Sequence, residues 1–270
     1  MFDLKEHSHT RVNILTGDRI LVSPHRTKRP WQGKVETLPE DNRPAYDPKC
    51  YLCPRNTRAD GSVNPDYKNS FVFTNDFSAL LVDTPEGAVN IDDLLQATSE
   101  KGICKVLSFS PDHSLTLPRL SIEAIEAVIA LWTKEFELLA ANPMIKYIQI
   151  FENKGEVMGS SNPHPHGQIW SQSSLPLEIE KETRQQKNFF AEKGKSLLSA
   201  YIEVEQKQKE RIVLENEHFI AVVPFWAVWP FETIIISKRH IQTLSQFTSE
   251  EVKALADILK KLTAKYDNMF

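Results

Sequence analysis

The sequence predicts an α+β protein built from two duplicated units, each a mostly antiparallel sheet with packed helices, the second unit incomplete. Three observations predict it. Short apolar runs with period-two alternation are interspersed with long amphipathic helical stretches. One strand–strand–helix pattern occurs twice along the chain. The first copy continues past its helix into another strand and a histidine-bearing loop, whereas the second stops with its helix at Phe270. A length of 270 residues suits two modest domains, placed at 1–176 and 177–270.

Residues 20–66, rich in Pro, Arg, Asn and Asp, predict a long irregular loop of the kind that carries function. Strands are expected at 71–74, 79–83 and 104–110. A helix over 121–140 has Ser121 as its cap and one apolar stripe of Ile122, Ile125, Val128, Ile129, Trp132, Phe136 and Leu139. Residues 145–152 alternate as a strand, the double-histidine loop comes next, 168–171 begin another strand, and 177–210 favour helix. The repeat aligns 73–82 with 214–223 and 107–113 with 234–240. Each aligned histidine, His113 or His240, precedes a helix cap by eight positions, Ser121 or Thr248. Ile125, Val128, Leu131 and Trp132 then match Val252, Leu255, Ile258 and Leu259 in phase. Lacking a closing strand, the second sheet is expected to leave an apolar edge, and the chain reads as a truncated form.

Bulk properties exclude several classes. A net charge of -4 gives no field for nucleic acid or an anionic membrane. The apolar runs are too short to span a bilayer, and the acidic start has no signal-peptide core. Three cysteines without an export signal point to a reducing compartment, hence the cytoplasm.

The chemistry concentrates in 161–168, Ser-Asn-Pro-His-Pro-His-Gly-Gln. Two prolines stiffen the segment, so one imidazole can anchor while the other faces a substrate. Gly167 is expected to let a bulky or anionic group approach the backbone. Cys50 and Cys53 form a C-x-x-C able to chelate one ion, and with no second such pair any zinc needs histidines, the candidates being His113 and His164. Cys104 reads as core and His240 as structural. If His164 faces the metal, His166 is left as a neutral nucleophile towards phosphorus. Gln168 can bind a phosphoryl oxygen without activating water, which suits transfer better than hydrolysis. Asn153-Lys154-Gly155 and Gly159-Ser160-Ser161 offer donors around a pyrophosphate, and Arg26, Lys28 and Arg29 a basic cluster for phosphates.

Cys50-x-x-Cys53, Asn75-Asp76-Phe77, His113 and the Asn-Pro-His-Pro-His-Gly-Gln motif together resemble the galactose-1-phosphate uridylyltransferase family, the transferase branch of the histidine-triad superfamily. The resemblance runs from about Arg19 to Phe270. It implies histidine-triad-like units and exchange between UDP-glucose and galactose-1-phosphate through a uridylylated His166. It implies zinc at Cys50, Cys53, His113 and His164, and nucleotide contacts from Asn75, Asp76, Asn153, Gly159, Ser160, Ser161 and Gln168. Arg26, Lys28 and Arg29 fall on the family's UDP-sugar-binding arginines, and a homodimer is expected. Two departures stand out. Ser160 replaces a cysteine found in some members. The family's later histidines, which complete an iron site with a glutamate placed here at Glu182, lie beyond residue 270, so an incomplete iron site and poor turnover are expected. Two rivals remain: a phosphorylase of the same superfamily, and a zinc-stabilised UDP-sugar binder without catalysis.

Overall fold

A computed structural model of the chain describes residues 1–30, 42–160 and 162–269. The N-terminal strands β1 (His9–Val12) and β2 (Arg19–Val22) are followed by β3 (Phe71–Thr74), β4 (Ala88–Ile91), β5 (Leu95–Thr98) and β6 (Gly102–Ser108). Helix α1 (Ile122–Ala140), β7 (Tyr147–Phe151), β8 (His166–Gln172), α2 (Leu177–Lys193) and α3 (Leu197–Gln208) come next. The chain then forms β9 (Ile212–Glu215), β10 (Phe219–Val222), β11 (Ile234–Ser237) and α4 (Ser249–Asp267). All strand pairings are antiparallel among the described residues, as the α+β reading expects. No helix among the described residues is long and apolar enough to cross a membrane.

The first compact unit comprises 40–175 and 242–267. Its four-stranded sheet has the order β3-β6-β8-β7. Register aligns Phe73 with Val106 and Val106 with Gln168, and it aligns Phe71 with Ser108 and Ser108 with His166. Because side chains alternate along a strand, these rows share one face. The opposite face carries Val72, Leu107 and Ile169 into a core with Ile125, Val128 and Ile129 of α1 and Ala256 of α4. Ile125, Val128, Ile129 and Ile169 are fully buried, each worth about 1.5–3 kcal/mol relative to exposure. Lys105 of β6 holds the buried Glu135 of α1 in an ion pair. One face is therefore packing, which leaves the other for chemistry.

The second compact unit comprises 1–39, 176–241 and 268–270. It contains the β1–β2 hairpin and a three-stranded sheet of order β11-β10-β9. Ile220, Val222 and Ile236 pack with Tyr201, Ile202 and Trp226, and Arg11 lies 4.4 Å above the Phe225 ring.

Several expectations are corrected here. Residues 79–83 form turns, not a strand. The Leu81 carbonyl accepts from the Gly102 N–H (3.2 Å), yet 79–83 stands outside the order β3-β6-β8-β7, because apolar alternation permits a strand without supplying a ladder of partners. The loop expected over 20–66 begins later, because Leu21 and Val22 belong to β2; residues 31–41 lie outside the described residues. The β4–β5 hairpin was not expected, and it turns through Asp92 and Asp93 at positive φ, a conformation Asp tolerates. The helical stretch 177–210 is two helices, separated where Gly194 adopts φ 65° and Ser196 caps α3.

Candidate functional site

Four buried side chains, Cys50, Cys53, His113 and His164, bring one ligand atom each within 4.8 Å of one another. A tight turn, closed by Cys53 N–H donating to the Cys50 carbonyl (3.1 Å), carries the two thiols. His113 lies in a loop whose backbone N–H donates to the Ala45 carbonyl (2.8 Å). That loop follows β6, which ends at Ser108, so His113 does not itself end a strand. Asn162 locks the two segments together: its side-chain oxygen accepts from the His164 N–H (2.9 Å) and its amide donates to Cys50 Sγ (3.4 Å).

The donor atoms test whether a metal fits. Bonds of about 2.05 Å to nitrogen and about 2.3 Å to sulfur put tetrahedral ligands about 3.3 Å (N to N) and about 3.6 Å (N to S) apart. Here the Nδ1 atoms of His113 and His164 are 3.3 Å apart, and Cys53 Sγ lies 3.5 Å from His164 Nδ1 and 3.7 Å from His113 Nδ1. The His164 ring is fixed from behind, with Nε2–H donating to the Ser110 carbonyl (2.8 Å) and Ser108 Oγ also 2.8 Å away. Burial pushes the His164 imidazole down to about 4, which keeps it in the neutral ligand form. Burial likewise pushes the Cys53 thiol up to about 11, so buried thiolates here call for a cation beside them. The residues fit a tetrahedral divalent ion.

On the same sheet face, Tyr51, Leu52, Phe73, Asn75, Asp76, Val106, His166 and Gln168 are among the residues lining a cavity of about 310 Å³. Half-buried His166 Nδ1–H donates to the His164 carbonyl (2.7 Å), so Nε2 keeps its lone pair. Burial lowers the His166 pKa, against that hydrogen bond, which raises it, so the ring is neutral at neutral pH. Gln168 accepts from the Trp170 indole (3.0 Å) through Oε1, which turns its amide into a donor for whatever the cavity holds. Asn75 sits where β3 ends, its N–H donating to the Cys104 carbonyl (2.9 Å) and its side chain accepting from Phe77 N–H (3.0 Å).

An imidazole is thus presented into the cavity beside a buried ligand cluster. Residues 1–176 match the model of the galactose-1-phosphate uridyl transferase N-terminal domain, and residues 182–270 that of its C-terminal domain. The chain belongs to the galactose-1-phosphate uridylyltransferase family. It is 51% identical to the enzyme of that name from Haemophilus influenzae over all of this chain and 77% of the relative. It is 46% identical to the Rattus norvegicus enzyme, over all of this chain and 70% of the relative. Among solved structures, one described as a uridylyltransferase superposes with TM-score 0.70 at 27% identity, covering 94% of this chain and 73% of the other. An Arabidopsis thaliana ADP-glucose phosphorylase with bound ADP-glucose superposes with TM-score 0.73 at 25% identity, covering 97% and 79%. As a member of the uridylyltransferase family, the chain is a nucleotidyltransferase of galactose metabolism.

The remaining expected residues of this family are placed as follows. Asn153 and Gly159 are exposed beyond β7, and neither they nor Ser160, whose hydroxyl donates to the Asn162 carbonyl (3.1 Å), line the cavity. Ser161 lies outside the described residues. Arg26, Lys28 and Arg29 belong to the second compact unit, on and beside the exposed turn Pro24–Lys28, where Lys28 pairs with Glu6 at 2.5 Å. Glu182 is a half-buried residue of α2 in that unit, its carboxyl raised by burial and by Glu178. Cys104 is core, as read, and His240 is exposed.

Gly167 plays another part than expected. A Cβ there would meet the Phe109 ring at 2.8 Å and the Phe151 carbonyl at 2.9 Å, so the missing side chain serves close packing on the core face. Ser108, Ser110, Tyr67 and Trp170 were not read from sequence as parts of the site, and Asn162 was read only as part of the motif, with no role of its own. Only Asn162 and Trp170 carried a signal, by standing two residues from His164 and Gln168.

Proposed function

We propose that this chain transfers UMP from UDP-glucose to galactose-1-phosphate by a ping-pong reaction through His166. The Nε2 lone pair attacks the α-phosphorus and forms an N–P bond. The bond from that phosphorus to the bridging oxygen breaks, and glucose-1-phosphate leaves with the electron pair. A phosphate oxygen of galactose-1-phosphate then attacks the same phosphorus, the N–P bond breaks, and UDP-galactose is released with His166 restored. The single observation that carries this reading is the hydrogen bond from His166 Nδ1 to the His164 carbonyl at 2.7 Å, which commits Nε2 to the acceptor role and shares the developing charge.

Gln168 offers its amide N–H to a phosphoryl oxygen, and Asn75 and Asp76 accept from the nucleotide's sugar hydroxyls. Asn153, Gly159, Ser160 and Ser161 are proposed around the diphosphate, and Arg26, Lys28 and Arg29 as its cations. We assign zinc to Cys50, Cys53, His113 and His164, where the ion would fix the loop that aims His166 and take no part in bond making. Glu182 is proposed as a residue of the family's iron site, and no step runs through it. The domains are proposed at 1–176 and 177–270, the protein as a cytoplasmic homodimer.

Mass spectrometry of the chain mixed with UDP-glucose tests the reading. A uridylyl adduct on the peptide bearing His166 is expected, and its absence from a metal-loaded sample that binds UDP-glucose would favour a binder. ADP-glucose offered in its place should give no adduct; an adenylyl adduct instead would point to the phosphorylase branch. Metal analysis should find about one zinc per chain, lost in Cys53→Ser. A sample of Cys53→Ser that retains its zinc removes that residue from the ligand set.

A further inference from the structure

One charged side chain next to the cavity has no part in the reaction above. Arg58 opens a tight turn whose backbone is closed by Arg58 N–H to the Ser62 carbonyl (2.8 Å). Its guanidinium carbon lies 4.3 Å above the centroid of Phe73, a cavity-lining ring. The side chain is only 12% exposed, and its Nη1 is 3.6 Å from Oδ1 of Asp76, itself 7% exposed. The other Asp76 oxygen accepts from the Ala59 N–H (3.1 Å), and Arg58 Nη2 donates to Asp60 (3.2 Å).

Two donors stand out in this arrangement. Nε and Nη1 of Arg58 are buried and find no hydrogen-bond acceptor among the described residues. Leaving N–H groups of a buried cation unsatisfied is costly, and such groups call for an explanation. At 3.6 Å, Nη1 and Asp76 are too far apart for a hydrogen bond but near enough to attract strongly where solvent is scarce. The Asp76 carboxylate is thus held at one oxygen by a backbone N–H and drawn at the other by a guanidinium that lies over the Phe73 ring.

We infer that Arg58 is a positioning residue, which fixes the Asp76 carboxylate at the cavity wall and offsets its negative charge. Without that offset, a carboxylate in the cavity would repel an incoming nucleoside diphosphate. With it, the carboxylate can accept hydroxyl hydrogen bonds from the ligand and still admit its phosphates. The inference rests on the function proposed above, because Asp76 matters here as a contact to a nucleotide. Its effect should fall on binding, since Arg58 reaches neither His166 nor Gln168 in any contact described.

The test uses the full chain, with Arg58→Met, which keeps an apolar stem over Phe73, Arg58→Lys, Asp76→Asn and the Arg58→Met/Asp76→Asn pair. UDP affinity is measured by titration calorimetry, and the adduct rate at saturating UDP-glucose by quenched mass spectrometry. Arg58→Met should weaken UDP binding about tenfold or more while the saturated adduct rate stays within about threefold. Arg58→Lys, which retains the charge without the fork, should recover part of the loss. On the Asp76→Asn background, Arg58→Met should add less than about twofold, because both act through one contact.

Unchanged UDP affinity in Arg58→Met, or two substitutions whose effects multiply in full, overturns the inference while leaving the enzyme reading intact. A wild-type chain that neither binds UDP nor takes up UMP overturns both. Should Arg58→Met fail to fold, Arg58→Lys decides alone: affinity equal to wild type counts against a fork-dependent hold on Asp76, and a loss confined to affinity supports it.

Discussion

The stretch from Phe71 to His113 and the stretch from Ile212 to His240 have the same apolar phasing, and they end in very different places. In the first, β3 pairs directly with β6, and β6 pairs with β8, so one sheet face is left to carry His166 and Gln168. In the second, β10 stands between β9 and β11, and all four of its residues are buried. His113 is 3% exposed inside the ligand cluster, whereas its sequence counterpart His240 is exposed. The difference teaches that matching apolar phase does not fix matching structure, since 79–83 forms turns where the aligned 220–222 is strand, and that Asn75, Asp76 and His113 of the first copy become a site through segments outside the repeat. Cys50, Cys53 and the 162–168 loop have no equivalent in the second stretch.

The largest break in that comparison should come from the histidines. His166→Gly should abolish the adduct and lower kcat about 10,000-fold, because no other imidazole is positioned to accept the uridylyl group. His240→Gly, exposed and outside the ligand cluster, should change kcat by less than about twofold and stability by less than about 0.5 kcal/mol. Steady-state assays of both variants check this. Comparable losses in the two would mean that the second stretch shares in the chemistry.

A middling effect separates the charges of the two regions. In the second compact unit, just before the Ile212–His240 stretch, Glu205 is fully buried and both its oxygens accept from Arg211 Nε, at 2.9 and 3.0 Å. Removing one partner strands a buried charge, so Arg211→Met should cost about 3 kcal/mol in urea denaturation. Replacing both, as Glu205→Leu with Arg211→Met, should return most of that stability. The adduct yield per folded molecule should stay unchanged throughout. A stable Arg211→Met would show that the pair is held apart in solution.

Much of the site was legible because it sits in short segments with restrictive residues. The prolines around His164 and His166 and the spacing of Cys50 and Cys53 declare local geometry, and the cluster and cavity they build follow it. Helix α1 was legible from its stripe and cap, since helix periodicity is a property of the segment itself. Residues 79–83 misled, because alternation permits a strand without supplying the backbone partners that make one. Gly167 misled for a related reason: a glycine announces a close approach without naming what approaches. Arg58, Ser108, Ser110 and Tyr67 carry no local signature at all. Their roles arise from distant segments meeting in space, as when Tyr67 Oη lies 2.9 Å from Ser108 Oγ.

The smallest effects sharpen the one respect in which the two regions agree. Helices α1 and α4 are each 19 residues long and both pack into the same core. Ser121 Oγ accepts from the Ala124 N–H at 3.1 Å. Thr248 Oγ1 accepts from the Glu251 N–H at 3.3 Å, and Glu251 accepts in return from the Thr248 N–H at 2.8 Å, a reciprocal capping box. Alanine at either cap removes one acceptor for an orphan N–H, so Ser121→Ala and Thr248→Ala should each cost about 1 kcal/mol. The Glu251 half of the box survives Thr248→Ala, because its partner is a backbone N–H, and the two costs should therefore agree within about 0.5 kcal/mol. No hydrogen bond described here is shared between the caps, so the double variant should lose the sum of the two. Denaturation midpoints at constant slope check all three values. If Ser121→Ala costs stability and Thr248→Ala costs none, the matched caps are a coincidence of composition and the repeat loses its best structural support.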